Sequence, residues 1–150
     1  MDDRWFPHVT VAAIAVRDGK YLMVEERIQG ELVFNQPAGH IEIGETFEQA
    51  VKREVLEETG FEFEPNYLVG IYQYIAPSGE TYVRFVYYGE LGESLSGAEL
   101  DPVIEQVVWL DRLSLQRHKE RMRSQSVLKC VDDFESGKQI PLDIVKRVNV

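Results

Sequence analysis

Apolar residues dominate residues 8–16 (HVTVAAIAV) and 20–26 (KYLMVEE), with Asp18 and Gly19 between them. Asp-Gly tolerates the positive φ of a tight turn, so the two runs are expected to pair as a hairpin. Residues 31–37 (ELVFNQP) read as a shorter strand ended by Pro37, and residues 39–43 (GHIEI) alternate apolar and polar until Gly44 breaks the pattern. The period then changes. Thr46 and Gln49 have the spacing of a capping box, Gly60 stands where a left-handed cap ends a helix, and no proline intervenes. Along that helix Phe47, Val51 and Val55 recur every four residues and face a core, while Glu54, Glu57 and Glu58 share another face.

Residues 67–76 (YLVGIYQYIA) and 81–91 (TYVRFVYYGEL) are rich in β-branched and aromatic side chains and flank PSGE, which predicts a second hairpin. Residues 94–102 (SLSGAELDP) read as a polar loop and 105–110 (EQVVWL) as a short strand. Val127, Val131 and Phe134 recur at helical spacing before Gly137. Without repeat, linker or low-complexity tract, residues 1–150 read as one domain.

Charge changes the picture. With 16 basic and 26 acidic residues the formal charge is -10, which repels phosphates and nucleic acid unless positive charge is supplied locally. The basic run at 117–123 (RHKERMR) is therefore expected to be a solvated helical segment rather than an RNA footprint. The single cysteine, Cys130, excludes an internal disulfide or a thiolate cluster and reads as a small core residue. The start, MDDRWFPHV, lacks the apolar run of a signal peptide, and no later stretch is long enough to span a bilayer, so a cytoplasmic protein is expected.

Six glutamates, Glu42, Glu45, Glu48, Glu54, Glu57 and Glu58, crowd into little more than one helix length. A solvated acidic helix is one reading. A calcium loop is not, for want of an Asp-x-Asp-x-Asp-Gly series. The other reading is a site for a hard divalent cation, Mg²⁺ or Mn²⁺, which supplies the missing positive charge and polarises a P–O bond. Gly39, Gly44 and Gly60 allow the tight turns by which a loop folds over the acidic face and adds a backbone carbonyl.

Gly39, five residues, Glu45, seven residues and then Arg53-Glu54-Val55-Leu56-Glu57-Glu58-Thr59-Gly60-Phe61 resemble a complete Nudix box. The resemblance implies an α/β Nudix fold, a mixed β-sheet sandwiched between α-helices, and Mg²⁺-dependent hydrolysis of organic pyrophosphates. It implies Glu54, Glu57, Glu58 and the Ala38 carbonyl as metal ligands, with Arg53 orienting the carboxylates through Glu45 or Glu57. The base implied is a helix glutamate (Glu54 or Glu57) or a later acid, for which Glu105 is the candidate. The flanks FNQPAGH, HVTVA, YQYIAP and VRFVY resemble the phosphatase-like bacterial branch, which implies removal of orthophosphate from nucleoside di- and triphosphates and thiamine-pathway pyrophosphates. For such small-molecule substrates Arg84 is the candidate partner of a terminal phosphate, Tyr74 or Tyr82 of a ring face with cross-strand packing as the alternative, and Asn35 and Gln36 of a ring edge with turn or strand-end roles as the alternative. His40 is a candidate phosphate donor, and His8 reads as structural. A non-catalytic binding module and an RNA 5′ pyrophosphohydrolase are the rival functions; a monomer is expected.

Overall fold

A computed structural model describes residues 3–95 and 97–149. Met1, Asp2, Ser96 and Val150 lie outside the described residues, and with them the first two positions of the acidic start and one position of the expected loop at 94–102.

The first apolar run divides at Ala15. Its larger part is β1 (His8–Ile14), its remainder β2 (Val16–Arg17), and the two belong to different sheets. β2 turns into β3 (Lys20–Ile28) through Asp18 and Gly19, whose φ values of 52° and 73° are the positive angles the dipeptide predicted. A second tight turn at Gln29 and Gly30 leads to β4 (Glu31–Asn35).

β1 pairs on one side with the short β5 (Ala38–His40) and on the other, in parallel, with β7 (Thr81–Ser94). β7 in turn pairs antiparallel with β6 (Phe61–Ile75), the predicted second hairpin. The first sheet is therefore mixed, in the order β5-β1-β7-β6. In the second, antiparallel sheet, β3 has β2 and β4 along one edge and β8 (Ile104–Asp111) along the other.

Successive residues of β1 serve opposite faces, which explains why the run is apolar throughout rather than alternating. Val11 and Ala13 pack with Val51 and Val55 of α1 (Phe47–Thr59). Ala12 and Ile14 pack with Met23, Val127, Cys130 and Val131, the last three from α3 (Ser126–Glu135). A mixed sheet between helices follows, as expected. Cys130 is a core residue, and burial pushes its thiol up to about 11.

Three expectations are corrected. Of the first expected hairpin only Val16 and Arg17 pair with β3, because β1 takes β5 and β7 as its neighbours. The strand at 39–43 stops at His40: the Ile41 amide still reaches β1, but Arg53 Nη2 donates to the His40 carbonyl (3.0 Å), and the Glu42 amide donates to the Glu45 carboxylate (2.8 Å). Ile43 is left fully exposed. The basic run is solvated and helical as expected, but not one helix: α2 (Arg112–Arg117) ends within it, a 3-10 turn (Lys119–Arg121) follows, and two of its cations are paired. Arg121 and Arg123 reach back to Glu25 (2.7 Å) and Glu26 (2.9 Å) on β3. No helix among the described residues is long and apolar enough to cross a membrane.

Candidate active site

The site is built on α1, whose start and rotation are set locally. Thr46 Oγ1 accepts from the Gln49 amide (3.1 Å) and Gln49 Oε1 accepts from the Thr46 amide (2.9 Å), closing the predicted capping box. Gly60 ends the helix at φ 78°. With Ala50, Val51 and Val55 turned into the core, the 3.6-residue period also carries Glu54 and Glu58 inward, to 9% and 3% exposure. Glu57 keeps 47% of its side chain in solvent.

Arg53 gathers the remaining acids. Its Nε and Nη2 form a two-pronged contact with Glu45 (2.7 and 3.0 Å), while Nη1 donates to Glu54 (2.8 Å) and Glu57 (3.1 Å). Such a planar fork fixes direction as well as charge, which a lysine cannot do. The Glu45 carboxyl is held below its usual range by this contact. Both expected partners of Arg53 are thus engaged at once.

Burial leaves Glu54 and Glu58 poorly compensated. Desolvation raises the Glu54 carboxyl to about 7 against the lowering effect of Arg53. It raises Glu58 to about 9, against the hydrogen bond from the Ala38 amide (2.7 Å) and helped by the negative charges of Glu26, Glu54 and Asp101. The sequence reading missed Glu26 and Asp101. Asp101 comes from the polar loop, which is tied to the last helical turn through its amide and the Glu57 carbonyl (2.9 Å). The only advance signal was an acidic side chain in that loop.

Among the described residues, no three carboxylate, imidazole or thiol groups converge as a ready-made metal cage. The donor set nonetheless fits a hard divalent cation. Two buried carboxylates face β5, and a β-carbon at Gly39 would fall on the Glu54 carboxylate, so the glycine, expected to form a tight turn, instead preserves a close approach between strand and helix. Pro37 O and Ile41 N are bonded to β1, so strand alternation directs the Ala38 backbone groups away from β1, and the Ala38 amide indeed meets Glu58.

The other expected residues form a second group. Arg84 is 3% exposed, and its Nη2 donates to Asn35 (3.0 Å) and Gln36 (2.9 Å). Gln36 also donates to Cys130 Sγ (2.7 Å), so it holds Arg84 in place rather than presenting a free edge. Tyr74 stacks on Tyr82 at 5.3 Å, Tyr82 on His8 at 4.7 Å, and His8 Nδ1 meets His40 Nε2 at 3.0 Å. The rings line up across four strands. The Glu105 carboxylate accepts from Arg27 (2.7 Å), on β3, rather than from any box residue.

Residues 6–129 match the family described as the NUDIX domain. The chain belongs to the Nudix family. Among curated Nudix relatives, Phosphatase NudJ of Escherichia coli K12 is 35% identical over 143 residues, covering 95% of this chain and 93% of that protein. The Shigella sonnei Phosphatase NudJ gives the same identity and coverage. Among solved structures, a NUDIX hydrolase from Nitrosomonas europaea superposes with a TM-score of 0.93 at 41% identity, over 95% of this chain and 98% of that one. A bifunctional NMN adenylyltransferase/ADP ribose pyrophosphatase from Francisella tularensis, complexed with AMP and a manganese ion, shares the fold at 19% identity. Its TM-score is 0.70 over 90% of this chain and 43% of that one. The chain is a Nudix hydrolase related to the NudJ phosphatases.

Proposed function

We propose that this hydrolase uses Mg²⁺, with Mn²⁺ as an alternative, to remove orthophosphate from nucleoside di- and triphosphates or from small organic pyrophosphates such as thiamine precursors. The observation that carries the metal assignment is the pair of buried carboxylates, Glu54 and Glu58, packed against β5, where the missing side chain of Gly39 leaves room for the Glu54 carboxylate. The likeness to proteins named Phosphatase NudJ supports orthophosphate as the product.

In this proposal Glu54, Glu58 and the Ala38 carbonyl hold the cation, and Glu57 completes its shell or faces the water. The bound cation neutralises phosphate charge and makes water more acidic. Glu57, the box carboxylate with most solvent access, takes the proton of the attacking water. Glu45 and Arg53 keep Glu54 and Glu57 in place. Arg84, already committed to Asn35 and Gln36, offers the terminal phosphate a fixed positive charge rather than a two-pronged contact. Tyr74 and His40, at the ends of the ring row, border the substrate's ring.

The test is product release from a panel of nucleoside di- and triphosphates and thiamine-pathway pyrophosphates with Mg²⁺, with and without inorganic pyrophosphatase. Orthophosphate without the helper enzyme is expected. Orthophosphate only with it means that pyrophosphate leaves, and none in either case means a binding module. Activity confined to triphosphorylated RNA means an RNA 5′ pyrophosphohydrolase.

A further inference from the structure

A cavity of about 320 Å³ lies between the first turn of α1, Tyr87 of β7 and the segment carrying Val145, Lys146 and Arg147. Its size is that of a small-molecule site. Three kinds of hydrogen-bond donor meet there. The first amides of a helix have no intrahelical acceptor; those of Gln49 and Ala50 are taken by Thr46, which leaves those of Phe47 and Glu48, both in the cavity wall. Lys146 and Arg147 add two cations, neither ion-paired among the described residues. Tyr87 is 1% exposed and its hydroxyl has no hydrogen-bond partner, although a buried hydroxyl left unpaired is costly.

The charges of the wall favour an anion. Glu45 also borders the cavity, but its carboxylate is matched by Arg53, so Glu48 alone stands against the two cations and the positive end of the helix. Phe47, Val145 and the Tyr87 ring add aromatic and aliphatic surface to the wall.

We propose that this cavity is a second ligand site, taking a small organic anion, a carboxylate or phosphate monoester on a flat apolar body. The ligand's acid group meets the Phe47 and Glu48 amides, the Tyr87 hydroxyl and the two cations. Through Glu45 its occupancy reaches Arg53, and through Arg53 the carboxylates of Glu54 and Glu57. The site shares Gly44 to Glu48 with the box but none of the carboxylates Glu54, Glu57 and Glu58, and it does not depend on which anhydride the box cleaves.

The experiment titrates benzoate and phenyl phosphate into the full chain by calorimetry and by amide chemical shifts, in EDTA so that the box is silent. Benzyl alcohol is the neutral control. Both anions are expected to bind about tenfold or more tightly than the alcohol and to shift the amides of Phe47 and Glu48. Replacing Lys146 and Arg147 together by alanine, both on the surface, is expected to weaken the anions about tenfold, and Tyr87→Phe by about threefold. Glu58→Gln is expected to leave binding unchanged. The proposal is overturned by equal affinity for the alcohol, by binding indifferent to the Lys146/Arg147 pair, by shifts confined to other parts of the chain, or by no binding of either anion. Phenyl phosphate alone binding would narrow the ligand to phosphate monoesters; benzoate alone would narrow it to carboxylates.

Discussion

The carboxylate of Glu54 occupies the space that a β-carbon at Gly39 would need. The obstacle is the far end of a flexible side chain, so Gly39→Ala is expected to fold with little change in Tm while turning Glu54 away from the loop. Mg²⁺ affinity, measured by calorimetry, should fall about 10- to 100-fold, the range seen when a ligand's setting is disturbed. Unchanged affinity would mean that Glu54 does not hold the cation.

Arg53 makes its contacts with Glu45 and Glu54 through a geometry that lysine cannot reproduce. Arg53→Lys should lower kcat by about 10- to 100-fold, and Glu45→Gln should add little to it, since both changes break one chain of contacts. Fully additive losses in the double variant would show that Glu45 acts independently of Arg53.

The folded-state pKa values of about 7 for Glu54 and about 9 for Glu58 lie above the ordinary 4.5. In metal-free protein these groups therefore hold protons that the unfolded chain releases. Their contribution to stability is fully present below pH 4.5 and is lost as pH rises through 7 and 9. In EDTA, Tm should fall between pH 6 and 9, Mg²⁺ should restore more of it at pH 8.5 than at pH 6, and Glu58→Gln should flatten the profile. A Glu58→Gln protein whose Tm keeps the same slope would remove Glu58 as the cause.

Glu105 and Asp101 make opposite predictions. Glu105 is half exposed and paired with Arg27, so Glu105→Gln should leave kcat within about twofold, as surface changes usually do. Asp101 raises the pKa of both Glu54 and Glu58. Asp101→Asn should therefore make both carboxyls easier to ionise in metal-free protein, read by NMR titration in EDTA, and unmoved titrations would remove Asp101 as a cause; a slow Glu105→Gln enzyme would restore Glu105 as the base.

What was legible in the sequence was local. Thr46, Gln49 and Gly60 define α1 within one stretch of chain, and the spacing of Glu54, Glu57 and Glu58 follows from the helix they start and stop. Spacing alone could not say that Glu57 stays in solvent while Glu54 and Glu58 are buried, because that depends on what packs over α1. Contacts between distant segments were out of reach altogether. Arg121 and Arg123 looked like a free basic run until β3 supplied Glu25 and Glu26, and Asp101 looked like loop until its amide met the carbonyl of Glu57.

At Ala15 one apolar run leaves the first sheet and enters the second. The box is attached to the first sheet through β5 and α1, whereas Glu26, whose charge bears on Glu58, rides on β3 of the second. Burial comes first in making Glu58 hard to ionise, but Glu26 adds to it, so a carboxylate anchored on one sheet is tuned by a charge carried on the other.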